Sequence, residues 1–272
     1  MKLKVYSLIV TLFVVLAACS GTTDSGGEVS VGKGINAQEV FEKSIAAQED
    51  VTSFKMMANM NQTIGSGEEE MEVTSQIESD MVMDPMAFHQ MIDMKANGEV
   101  MQMESYFTKA GFFMKQGEEW MIFPDEMTDT LLTMQQTQAD PSEQMNMLKE
   151  YVDEFKLTEN EDTYVMTMKA SGDKFQELLD KTVEEMGAQS EMLKGATEQM
   201  KVNKVEYTLT IGKDDFLTKE FQMKMDSEMT MEDETISMLM EMDSRFENYN
   251  EIEEITVPEE VLQQAKEMPG IL

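Results

Sequence analysis

The sequence predicts an α+β fold: about 11 strands in one curved antiparallel sheet, an unclosed half-barrel, with helices covering its concave face. Three observations predict it. Apolar residues recur with period two through most of the chain. Hairpin-type turn signals separate these runs. Helical spacing is confined to short stretches at the start, middle and end of the chain.

Methionine makes the alternation visible, because the chain holds 31 of them in 272 residues. Met71, Val73, Ile77, Met81 and Met83 alternate with Glu72, Thr74, Gln76, Glu78 and Asp80. Phe221, Met223, Met225 and Met229 alternate with Glu220, Gln222, Lys224, Asp226 and Glu228. Ile236, Met238, Met240, Met242 and Phe246 alternate with Ser237, Leu239, Glu241, Asp243 and Arg245. Successive side chains of a strand point to opposite faces, so each run has one apolar and one wet face. Methionine here stands where Val or Ile would be usual. Its flexible thioether fills irregular space and suits surfaces that accept varied apolar shapes.

The elements follow in order. Asn36-Ala37-Gln38-Glu39 resembles a capping box and opens a helix with Val40, Phe41, Ser44 and Ile45 on one face. Strands are expected at 53–64, 70–83, 86–96, 99–108, 111–116 and 119–123. Gly65-Ser66-Gly67, Asn97-Gly98 and Gln116-Gly117 provide the turns, and Asn97-Gly98 is the strongest hairpin signal. Polar helical sequence runs through 126–150, interrupted at Asp140-Pro141, and strands follow at 154–159 and 163–169. Asp173 caps a helix with Phe175, Leu178, Leu179, Thr182, Val183 and Met186 at helical spacing, with a kinked continuation beyond Gly187 to about Met200. Three long strands, 203–212, 216–229 and 232–249, close the domain. Pro258 as first helical residue, followed by Glu259 and Glu260, starts a short C-terminal helix.

The N-terminus is organised differently. Lys2 and Lys4 precede an apolar stretch from Val5 to Ala18, which is shorter than the ~20 residues of a spanning helix and has the form of a secretory signal. Leu16-Ala17-Ala18-Cys19 resembles a bacterial lipobox: an apolar residue, two small residues, then the only cysteine of the chain. The resemblance implies a signal peptide at 1–18 and acylation of Cys19. Residues 20–27, small and rich in Gly and Ser, form a flexible tether, so 19–35 links an acylated Cys19 to a single domain at 36–272. More than one acyl chain gives stable anchoring. The expected location is the extracytoplasmic face of a bacterial cell membrane, most simply in a Gram-positive envelope.

Charge narrows the partners. The formal net charge is −33, and loss of Lys2 and Lys4 with the signal takes it to −35. Such a chain repels nucleic acid phosphates and anionic headgroups. Hydrophobic residues at 41% nevertheless specify a packed core. The catalytic inventory is thin, and the expectation is a protein that is not an enzyme and has no cofactor. His89 is the one histidine, between Phe88 and Gln90 in a strand, with a structural role expected on the solvent side. No G-x-S-x-G, P-loop or G-x-G-x-x-G is present.

The whole pattern resembles the LolA/LolB and LppX/LprG superfamily of envelope lipoproteins, nearest to Gram-positive LolA-like lipoproteins. The matching features are the lipobox, the opening helix, the Gly117-Glu118-Glu119-Trp120 turn, Phe246 to Glu251, and Ile255-Thr256-Val257-Pro258. The resemblance implies a half-barrel whose cavity holds acyl chains. The one arginine, Arg245, departs from the inner-face arginine of LolA-type carriers, since it falls on a polar face. The expected lining is Met81, Met83, Phe221, Met223, Met225, Met238, Met240 and Met242, covered by Phe175, Leu179 and Met186. Two other readings stay open: an interaction or sensor lipoprotein with a filled core acting through its acidic surface toward an unknown protein partner, and a Cu(I) or oxidant buffer using thioether ligands.

Overall fold

The computed structural model describes residues 35–66, 69–124, 128, 152, 154–172, 176, 199–231 and 234–268. The expected helices at 126–150 and from Asp173 to Met200 lie almost wholly outside the described residues, as do Cys19 and its tether.

Asn36, itself in extended backbone, caps α1 (Ala37–Glu49), its Oδ1 accepting from the Glu39 N–H at 2.8 Å. Val40, Phe41, Ser44, Ile45 and Gln48 form the buried stripe of α1. Then come β1 (Ser53–Ser66), β2 (Glu69–Met83), β3 (Met86–Ala96), β4 (Glu99–Thr108), β5 (Gly111–Gln116) and β6 (Glu119–Ile122). β7 (Lys156–Glu159) and β8 (Thr163–Ser171) precede β9 (Met200–Gly212), β10 (Thr218–Met231) and β11 (Glu234–Glu247). The last described elements are α2 (Glu259–Gln264) and β12 (Lys266–Glu267).

All twelve strands join one unclosed, curved sheet in the order β12-β6-β5-β4-β3-β2-β1-β11-β10-β9-β8-β7. Two hairpin series therefore meet where β1 pairs β11 antiparallel, from Lys55↔Glu247 to Ser66↔Ile236. Most neighbours in each series are joined by short turns. Asn97 (φ 51°) and Gly98 (φ 84°) take the two left-handed positions that a tight I′ turn requires, which is why that dipeptide is so strong a signal.

Strand ends shift by up to three residues from the expectation, as where β9 begins at Met200 instead of 203, and two further details differ. β12 adds a twelfth strand, parallel to β6, in a segment too short and polar for alternation to reveal. Pro258 is the N-cap of α2, one position before the helix, and α2 does not cover the concave face. Together with Ile255 and Val257, its Val261 packs on Tyr106, Phe113 and Trp120, on the opposite face of β4–β6.

The main core lies on the inner face. Val40, Phe41 and Ile45 of α1 join Met166, Met168, Val205, Tyr207, Met223, Met225, Met238 and Met240 in one buried cluster. A second cluster on the same face joins Val51, Phe54, Met81, Phe88 and Phe107. Met225 is 1% exposed and Met101, at the far end of the same face, 53%. Truncating a buried methionine costs about 2–5 kcal/mol, and an exposed one within about 0.5 kcal/mol. Chemical denaturation should therefore show a marked loss for Met225→Ala and almost none for Met101→Ala.

Candidate functional site

The candidate site is the inner face, and register builds it. Across β10, β11, β1 and β2 the rows run Met223–Met242–Met60–Ser75 and Met225–Met240–Gln62–Val73. A parallel row runs Phe221–Ser244–Ala58–Ile77. At every inner position from Met71 to Met81 of β2, from Phe54 to Ile64 of β1, from Ile236 to Phe246 of β11 and from Phe221 to Met229 of β10, the side chain is non-ionisable. The outer positions of β2, β10 and β11 hold Glu72, Glu78, Asp80, Glu220, Lys224, Asp226, Glu228, Glu241, Asp243 and Arg245. Charge and apolarity are thus divided between the two faces of the same strands.

The expected lining separates into two groups. Met223, Met225, Met238 and Met240 are buried together in the main cluster, with Phe221 and Met242 partly buried against it. Met81 and Met83 belong to the second, aromatic cluster, where Met81 lies between Phe54 and Phe88 in register. Phe175, Leu179 and Met186 lie outside the described residues. Arg245 is on the outer face, where its Nη2 donates to Glu220 Oε1 at 3.2 Å.

Sequence reasoning missed several members of the face. β1 contributes Met56, Met60, Gln62 and Ile64, but Met57 on the outer side and Gln62 on the inner blur the alternation. β9 contributes Val202, Val205, Tyr207 and Leu209. An irregularity opposite Asp226/Ser227 puts Val202 and Val205, three residues apart, on one face and so breaks period two.

Gln62 is the polar member at the centre. Its Nε2 donates to Met240 Sδ at 3.7 Å and Met60 Sδ at 3.9 Å, both weak acceptors. Gln62, Ile64, Met225, Met238, Leu239 and Met240 bound a recess of about 10 Å³, roughly the room of one water. Tyr207, on the same face, is fully buried, and burial pushes its phenol well above the usual tyrosine range. The face can hold apolar matter and dissolve no charge. Among the described residues, no cluster of His, Cys, Asp or Glu could hold a metal ion.

His89 lies on the opposite, outer face. Its ring stacks on Tyr106 at 4.2 Å between centroids, and its Nε2 is 3.2 Å from Glu104 Oε1. Tyr106 also donates to Glu104, at 3.2 Å. Burial first, then the Glu104 charge and hydrogen bond, push the Tyr106 phenol up to about 12 from an ordinary 10.0. A raised folded value means that the stabilisation is fully present below the unfolded value and fades as pH rises. Stability should fall between about pH 10 and 12 as the unfolded chain loses phenolic protons that the folded one keeps. Denaturation midpoints across that range should fall less steeply for Tyr106→Phe than for the parent; equal slopes would refute the assignment.

A family model described as a family of unknown function, DUF6612, matches residues 36–266. No curated protein matches the chain. Solved structures similar to it include LprF from Mycobacterium bovis, 13% identical, covering 82% of this chain and 95% of that one with a TM-score of 0.41. A DUF1329 family protein from Desulfovibrio piger is 8% identical, covering 79% and 93%, with a TM-score of 0.24. A DUF1849 protein from Brucella abortus is 9% identical, covering 71% and 98%, with a TM-score of 0.20.

Proposed function

For this chain, which belongs to the DUF6612 family of unknown function, we propose a role as a membrane-anchored, non-enzymatic lipoprotein that binds an apolar ligand, an acyl chain or lipid, on its methionine-rich inner face. One observation supports the reading most: the central stretches of four adjacent long strands present a continuous face without an ionisable side chain, in a protein of net charge −33. An acyl chain offers only dispersion and burial, at about 0.8 kcal/mol per methylene removed from water. Flexible thioethers adapt to such a chain without polar cost. Met223, Met225, Met238, Met240, Met242 and Phe221 would line the site, with Phe175, Leu179 and Met186 as its cover and Met81 and Met83 at its aromatic end. The anchor would be diacylglycerol on Cys19, placing the domain outside the cell membrane on a tether.

A second reading is a filled core that supports an interaction surface. The small size of the recess beside Gln62 favours it.

Native mass spectrometry of the chain starting at Ser20, purified without detergent, separates the two. The ligand reading expects an adduct of lipid mass that is lost on denaturation. A bare mass, with no uptake of added fatty acid or phospholipid, would leave the methionines as core. For the anchor, Cys19→Ala should move the protein from the membrane to the soluble fraction. Retention of the unacylated variant would sink that assignment.

A further inference from the structure

The two ends of the sheet are short. β12 has 2 residues and β7 has 4, so neither offers a long row of unpaired backbone groups. A longer open edge lies inside the order of strands. β4 pairs β3 along its full length, from Phe88↔Phe107 to Ala96↔Glu99. On its other side it pairs β5 only from Ser105↔Met114 to Thr108↔Gly111. Among the described residues, Glu99 to Met103 therefore have no strand beside them on that side.

The turn sets which groups are free. Ala96 and Glu99 close a two-residue hairpin, so Glu99, Met101 and Met103 exchange hydrogen bonds with β3. Val100 and Gln102 direct their N–H and C=O groups outward. The side chains here are open as well: Val100 is 65% exposed, Met101 53%, and Met91 on the neighbouring strand 42%. A bare edge with apolar side chains is a template for another strand. The usual guards against this, proline and lysine on the edge, are missing from Glu99 to Met103, and its only charge is Glu99.

Charge selects the occupant. A second copy would bring another −33 to the contact. Glu99 and Glu104 flank the open backbone, and Asp93 lies across from Gln102, held by its side-chain amide at 2.8 Å. We propose that the Glu99–Met103 edge of β4 takes up an extended, basic polypeptide segment with alternating apolar residues, by strand addition. The incoming strand would complete the hydrogen bonds of Val100 and Gln102, rest its apolar side chains beside Met101 and Met103, and set lysine or arginine on the outer face, toward Glu104 and Asp93. This inference is independent of any ligand on the inner face.

Hydrogen exchange on the full chain tests it, with a synthetic lysine–valine hexapeptide as probe. Exchange should slow at Val100 and Gln102. An N-methylated peptide of the same composition, which keeps the charge but cannot pair, should bind about tenfold more weakly or worse. Gln102→Pro, which removes one outward N–H while the thermal midpoint is checked to be retained, should weaken binding to a similar degree. Equal binding of the N-methylated peptide would reduce the effect to charge attraction and overturn the proposal. So would protection confined to other segments, unchanged affinity of Gln102→Pro, or protection without peptide that grows with protein concentration, the mark of a second copy.

Discussion

The pairing of β1 with β11 is the contact on which the rest depends. It joins residues 55–66 to residues 236–247, so its loop spans most of the domain. Each series consists of sequence-consecutive strands, but alone each is an open ribbon with an apolar face in water. Only the seam brings the two faces into one. It is also held at its end. The Thr52 N–H donates to Asn250 Oδ1 at 2.6 Å, and the Asn250 N–H donates to the Ser53 carbonyl at 2.8 Å. Asn248 and Asn250 accept the left-handed backbone (φ 55° and 61°) that turns the chain back onto β1, a conformation asparagine tolerates better than most residues. Gln48 of α1 donates to Thr218 Oγ1 at 2.8 Å, and Tyr249 donates to the Thr218 carbonyl at 2.6 Å, so helix, seam and β10 meet at one polar node.

The division of the faces follows from period two together with the composition. A chain this acidic must keep its carboxylates in water, because an unpaired buried charge is costly. Along the central stretches of β2, β1, β11 and β10, from Met71 to Met81, Phe54 to Ile64, Ile236 to Phe246 and Phe221 to Met229, alternation sends every carboxylate to the outer side. Some meet cations there: Lys224 with Glu241 and Arg245 with Glu220. Such exposed pairs add little stability. Burial of the inner face supplies most of it, and the same burial makes that face the natural place for apolar matter.

Much of the architecture is legible in the primary structure, and the exceptions have physical causes. β2, β10 and β11 show their inner faces because methionine and other uncharged residues alternate with mostly polar and charged ones. Asn97-Gly98 sets its hairpin because only such residues accept two successive left-handed positions. Where polarity and face part company, the reading weakens: Gln62 is inner and Met57 outer, and the irregularity in β9 shifts Val205 against Val202. The face covered by α2 was not legible either. Tyr106, Phe113 and Trp120 look like ordinary strand aromatics until the C-terminal segment returns across them.

The sequence by itself determined which residues share a face, where most strands begin and end, and that one face excludes charge. These are local properties, set by a two-residue period, by turn chemistry and by solvation. Tertiary structure alone decided the seam, the splitting of the methionines into two clusters, the outer position of α2 and, among the described residues, the bare edge of β4. Each depends on which distant strands stop beside each other, and that is chosen by cooperative burial across the sheet, which no local window contains.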